Sequence, residues 1–503
     1  MHRAAEETQP GAAAHVQPAA AAQDTHVEAE QAREVRRSFA LRMAVAVLGL
    51  LATLLTSVLA VRTLDARSAT GFLAILGALM LGPLFGRLGL GQNAIRTIAA
   101  ATTPAEVSAQ VLAHLRAVAL LSLVTAPFVA WVATVVVQED RALVVGLVVA
   151  MILLEALRLT VSDVHAALGR ITWSVAATHH SRSILALLVM GVVVLVQGGD
   201  TTLVTLLGVY AATSLVLLAV TSVRLPLRDR ERGARWWAPM LVAVAAGAWL
   251  ATVELGAFLV GRGNVWIAGW VLPTDQALLF STASVLAMQV TVLEGLANIA
   301  LTPVAARLWA AGQRDRVFAL LSASATVSTT ITLVLSAATW LLAPQVLSIY
   351  GEGLDDAAPY LAIMATGALG MSLFGSCAVL LVVTGNGRIA AGSVTVATLI
   401  TVPGAILAAQ LGGPLALSIA SAAAMVVLFG SYTIACRRAF GRVPLPGFHL
   451  RRSLLVLAGR GPAAGPDATG PDDARTTDLD TAAATDAGVI TGSPAGPGLE
   501  SPR

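Results

Sequence analysis

Residues 43–61 read MAVAVLGLLATLLTSVLAV, nineteen residues without a formal charge. At 1.5 Å per residue a helix of that length covers about 28 Å, close to the thickness of a bilayer's hydrocarbon core. The stretch is therefore read as a membrane-spanning helix, and similar stretches follow it. Spanning helices are predicted at 39–62, 70–93, 114–137, 142–166, 177–197, 202–223, 238–272, 276–301, 317–344, 357–384, 388–410 and 414–436. The seventh is too long for one straight crossing, and Gly261 and Gly263 inside it allow a bend.

Composition agrees. The 503 residues are 56% apolar and only 12% charged, about half the charge of a soluble chain, and mean hydropathy is +0.79. The expected fold is all-α: a polytopic membrane protein of twelve transmembrane helices, arranged as two six-helix lobes around a central cavity. The lobes are placed at 38–223 and 238–440, joined by an arginine-rich connection at 224–237. Residues 1–37 and the tail 441–503, the latter from about 453, lack apolar periodicity and are expected to be disordered. A short surface helix over 24–37 is the alternative for the first tail.

All 32 basic residues are arginine. With the N-terminus inside, short cytoplasmic segments carry 19 of them, including Arg224, Arg228, Arg230, Arg232 and Arg235, against at most four outside. That asymmetry puts both termini in the cytoplasm. The absence of lysine points to a GC-rich bacterial genome, so the expected location is the bacterial cytoplasmic membrane. A basic membrane core between acidic tails fits loops facing anionic lipid, and no aromatic-interleaved basic patch suggests nucleic acid. Cys377 and Cys436, 59 residues apart in apolar stretches, suggest neither a disulfide framework nor a thiolate metal site. No phosphate-cradling glycine loop is present, and the short outer connections leave no room for a glycosyltransferase site, so neither a catalytic residue nor a cofactor is expected.

Charges inside spans cost about 2.5–3.5 kcal/mol at mid-helix on insertion scales, so they mark cavities or partners. Arg87 lies in Gly82-Pro-Leu-Phe-Gly-Arg-Leu-Gly-Leu-Gly91, a helix loosened by proline and glycine. It either binds an anionic substrate, for which the guanidinium fork is suited, or snorkels to the interface nine residues before Arg96. Glu155 and Arg158, spaced i, i+3, are read as a structural pair. Glu254 and Glu294 have no neighbouring arginine; each either couples a proton or pairs across the cavity. Arg262 either closes the outer end of the cavity or snorkels outward. Asp163, His165, His179 and His180 are read as interfacial, without metal-ligand spacing.

The turn Leu64-Asp-Ala-Arg-Ser-Ala-Thr-Gly71-Phe, the end of helix two at Phe85-Gly-Arg-Leu-Gly-Leu-Gly91 with Arg96, the exit from Pro303 to Gly312, the turn Ile349-Tyr-Gly-Glu-Gly and Thr384-Gly-Asn-Gly-Arg388 together resemble the polysaccharide flippases of the multidrug/oligosaccharidyl-lipid/polysaccharide exporter superfamily. The resemblance covers about 39–440. It implies two lobes rocking about a cavity lined by helices one, two, seven and eight, with Gly71 opening helix two. It also implies a polyprenyl-pyrophosphate-linked oligosaccharide as substrate, and puts Arg87, Glu254, Arg262 and Glu294 on cavity helices. Membrane lipids and polysaccharide-assembly proteins are the expected partners. The alternatives are a cation-coupled drug exporter, a lipid II flippase or a membrane glycosyltransferase. Lipid II flippases of the superfamily carry fourteen helices and an Arg-Asp pair in helix one, and drug exporters often use acidic residues there; residues 43–61 have neither.

Overall fold

The structure, a computed structural model, describes residues 41–137, 140–199, 201–227, 237–374 and 376–457. Predictions for residues 1–37, and for most of the arginine-rich connection, lie outside the described residues. The described chain is helical throughout. In order it forms α1 (Leu41–Thr63), α2 (Ala66–Arg87), α3 (Leu90–Ala100), α4 (Pro104–Ala133), α5 (Arg141–Ala167), α6 (Ile171–Ala176), α7 (His179–Val196) and α8 (Leu203–Ser222). There follow α9 (Trp237–Gly261), α10 (Asn264–Val271), α11 (Thr274–Val290), α12 (Val292–Ala310), α13 (Arg314–Ser348), α14 (Ala358–Phe374), α15 (Cys377–Val383), α16 (Gly387–Phe440) and α17 (Leu450–Leu457).

Several crossings are made of two pieces. The pairs α6–α7, α9–α10, α11–α12 and α14–α15 each form one interrupted span, and α16 is two spans folded at Gly412–Gly413. Counted so, the described helices make twelve crossings. The end of the molecule rich in arginine is called inner below and its opposite outer. Helices α2, α4, α5 and α8 pack on one another, as do α9, α11, α13, α14 and α16. The two groups meet where α2 lies against α9, α10 and α11, and where α3 and α4 touch α9.

Local chemistry sets the boundaries. Asp65, not Gly71, opens α2: its carboxylate accepts from the Arg67 and Ser68 amides at 3.0 and 3.1 Å, while Gly71 lies one turn inside the helix. Burial works to raise the Asp65 carboxyl, but the hydrogen bonds from Ser68 and Arg67 outweigh it and hold the group below its usual range. Asp65→Ala is expected to lower stability by about 1 kcal/mol, read as a fall in melting temperature of the purified protein. Because the native pKa is depressed, the cap's charge contribution is complete above the unfolded value and fades as pH falls through the native one.

The third span begins ten residues before its apolar stretch, because Thr103 and Glu106 form a capping box with Pro104 in the first turn. Helix two breaks at Leu88–Gly89, where both residues have positive φ, rather than at Pro83. The chain then turns into α3, which buries Leu90, Ala94 and Ile98, one residue per turn on a single face. The expectation of disorder from about 453 is corrected at its start: α17 continues to Leu457, seated on α13.

Candidate functional site

The outer half of the contact between the two helix groups is sealed. The Arg62 side chain donates from Nε to the carbonyl of Ile349 at 2.6 Å, and the hydroxyls of Ser57 and Tyr350 share a hydrogen bond of 3.0 Å. Burial pushes the Tyr350 hydroxyl up to about 12, against the pull of Ser57, so it remains a neutral donor at physiological pH. Deeper in, the indole of Trp266 on α10 donates to the carbonyl of Ala74 on α2 at 2.9 Å. Its ring packs on Phe258 with centroids 5.2 Å apart. Phe72, Ile75 and Ala78 of α2 join Phe280 and Ala283 of α11 and Leu347 in one buried core that spans both groups.

Below this seal the seventh span is broken. Arg262 and Gly263 separate α9 from α10, and Gly263 is required by close packing: a Cβ there would stand 2.6 Å from the Leu259 carbonyl oxygen. Trp266 marks the depth, because Ala74 lies eight residues, about 12 Å, along α2 from its outer start. Arg262, one turn further in, sits near mid-membrane. Its side chain is partly accessible, and its guanidinium has no hydrogen-bond or ion-pair partner among the described residues.

Glu254, two turns closer to the inner side, is exposed on the face of α9 about 200° around from Thr252. It emerges between two packed sides of the helix, one against α16 and the other against the first group. Tyr432 is near enough to interact with it electrostatically. The hydroxyls of Tyr432, Thr398 and Thr401 are buried without partners. Gly256 admits this close approach, since a Cβ would meet Val394 at 2.3 Å. Glu294 belongs to α12, and its side chain lies outside the described residues.

Arg87 is differently placed. It forms an ion pair with Asp163 on α5, both side chains about one-fifth exposed, and the backbone of Gly91 lies directly against the pair. Arg42 of α1 also faces Asp163 electrostatically. The carboxylate that neutralises Arg87 is thus 76 residues away in sequence, which no local spacing rule detects.

The first group of helices also encloses a charged cluster. Glu155 pairs with Arg158 and, at 2.9 Å, with Arg182 on α7. Arg158 donates to the carbonyls of Ala177, at 2.7 Å, and Thr178, the two residues between α6 and α7. It therefore satisfies the Ala177 carbonyl, which the break leaves open in a lipid-surrounded bundle, and shares the Thr178 carbonyl with the Arg182 amide at 3.4 Å. The Arg182 guanidinium lies 5.0 Å over the Tyr210 ring. Sequence reasoning missed Arg182. The available signal was an arginine inside the predicted fifth span with no acidic residue near it in sequence.

Residues 265–407 match the sequence model of the MatE family. Among curated proteins none matches the chain significantly. Solved structures do share its fold. The lipid II flippase MurJ in an inward closed conformation superposes with a TM-score of 0.61 at 10% identity, covering 84% of this chain and 90% of that one. An inward-facing multidrug resistance MATE family transporter of the MOP superfamily gives 0.55 at 14% identity, covering 80% and 98%. The eukaryotic MATE transporter AtDTX14 gives 0.51 at 15%, covering 82% and 99%. The described chain therefore shares the fold of these solved structures: it is all-helical and built from helices long and apolar enough to cross a membrane many times.

Proposed function

We propose that this protein is a flippase that moves a polyprenyl-pyrophosphate-linked oligosaccharide from the inner to the outer leaflet by alternating access of its two lobes. The observation that carries this reading is Arg262, a cation without a described partner at a helix break near mid-membrane. Arg158, Arg182 and Arg87 are by contrast committed, the first two to Glu155 and the third to Asp163. A guanidinium without a partner among the described residues, at a break inside the bundle, suits an anionic ligand, and its planar fork suits a phosphate. With the outer half sealed, the headgroup enters from the inner side while the lipid tail stays between the lobes.

Glu254, and Glu294 on the neighbouring span, are the residues proposed to couple this movement to an ion. A membrane potential negative inside favours outward passage of an anionic headgroup by ~2.3 kcal/mol per charge per 100 mV. The transport reaction makes and breaks no covalent bond, and the protein supplies only binding and rearrangement. The proposed setting is the bacterial cytoplasmic membrane with both termini inside, beside the proteins that assemble the polysaccharide.

The test is translocation of a fluorescent polyprenyl-pyrophosphate oligosaccharide in proteoliposomes, followed by its accessibility from outside. Arg262→Ala is expected to slow translocation about 10- to 100-fold, the loss of one charge-assisted contact. Arg87→Ala is expected to cost less, because Arg87 already has a carboxylate. Equal rates for wild type and Arg262→Ala would remove Arg262 from the site. Drug-dependent ion movement without lipid translocation would make the protein an exporter.

A further inference from the structure

We propose that α17 and the segment leading into it form a foot that binds the anionic surface of the inner leaflet. No residue of α17 is buried, although its sequence, Leu450-Arg-Arg-Ser-Leu-Leu-Val-Leu457, is mostly apolar. Leu450, Leu454 and Leu455 are exposed, with Arg451 and Arg452 exposed between them, and Phe448 just before the helix is fully exposed. Leu450, Leu454 and Leu457 share one face of the helix, and Arg451, Leu455 and Arg452 the adjoining one. This arrangement suits a helix lying in a headgroup boundary, with apolar side chains among acyl chains and the guanidinium groups at the phosphates.

The seat of the helix fixes its depth. After α16 the chain turns back along α13. Arg442 pairs with Asp315 at 2.7 Å and lies 4.1 Å over the Phe318 ring. The Ser322 hydroxyl then donates to the Leu445 carbonyl at 2.6 Å, and the Gly447 amide donates to the Thr326 hydroxyl at 2.8 Å. Thr326 is 22 residues, about 33 Å, from the outer end of α13 at Ser348, one hydrocarbon thickness. The segment thus reaches α13 at the level where the acyl chains end. The charge is one-sided as well. Arg437, Arg438, Arg451 and Arg452 are all exposed, and Asp315, the acidic residue beside them, is already held by Arg442. Depth and charge together select an anionic lipid surface; the inner side is the one that the arginine asymmetry assigns to the cytoplasm.

The full-length protein is placed in nanodiscs of phosphatidylcholine alone or with about 30% phosphatidylglycerol, and amide hydrogen exchange is followed across 448–457. The expected result is exchange at least about tenfold slower in the anionic discs, with the difference falling about fivefold in R451Q and disappearing in R451Q/R452Q. L454S/L455S is expected to abolish the protection while leaving exchange in α13 unchanged, which separates loss of lipid contact from misfolding. Equal exchange in the two lipids overturns the proposal, whether α13 alone holds the helix or its face serves a protein partner. Protection that persists in R451Q/R452Q overturns it equally.

Discussion

Glu155→Ala is expected to destabilise the protein by about 3–5 kcal/mol, the cost of leaving a buried charge without its partner. Glu155 is 1% exposed and accepts from two arginines that are 0% and 6% exposed. Removing its carboxylate leaves both guanidinium groups facing each other inside the helix bundle. The arginines are not free to leave, because Arg158 is tied to the Ala177 and Thr178 carbonyls and Arg182 lies over Tyr210. The measurement is the melting temperature of the detergent-purified protein, by fluorescence-detected size exclusion. Glu155→Ala combined with Arg182→Gln is expected to recover part of the loss, because one positive charge then goes with the negative one. A single mutant as stable as wild type would show that water reaches the cluster and that the pairing contributes little.

Trp266→Ala is expected to open the outer seal. Truncating a buried tryptophan typically costs 3–5 kcal/mol where the cavity cannot collapse. Here that cost falls on an arrangement in which α10 is locked to α2. Trp266 is 5% exposed, bonds to Ala74 and packs on Phe258. An arrangement with the outer side open has no need of this contact, so the mutation shifts the population toward it. Ser57, at the same seal, is the natural reporter. With Ser57→Cys in the background, labelling by an impermeant maleimide added outside is expected to speed up at least about tenfold in Trp266→Ala. Trp266→Phe, which keeps most of the volume and loses only the indole donor, should fall between. Unchanged labelling would mean that Arg62 and Tyr350 hold the outer side shut without help from α10.

The crossings were legible because each is a long apolar run with few charges, and the fold at Gly412–Gly413 falls in the gap between the spans placed at 388–410 and 414–436. Gly261 and Gly263 likewise announced the bend that became the break at Arg262. Interruptions without such residues were hidden. The fifth span was placed from 177, at the break itself, but the short α6 before it was not foreseen, and Arg158 from another helix holds the carbonyls of Ala177 and Thr178. The start of α2 was misassigned to Gly71 because a capping aspartate outweighs a glycine that merely fits against its neighbours. Charges followed the same division. The i, i+3 spacing of Glu155 and Arg158 is local and readable, whereas Arg87 meeting Asp163, or Arg182 joining Glu155, depends on which helices become neighbours.

The folded-back α16 has a consequence for how the chain enters the bilayer. Between Arg388 and Arg437 there is no formal charge in either arm or in the turn, and the turn itself is only Gly412 and Gly413 before Pro414. Nothing on the leading edge resists passage through hydrocarbon, while arginines at both trailing ends resist it strongly. The two arms can thus enter the bilayer as one preformed hairpin, their arginine-bearing ends staying together on one side. A single arginine placed at Gly412 would burden that leading edge, and biogenesis would register the change before any folded-state property did.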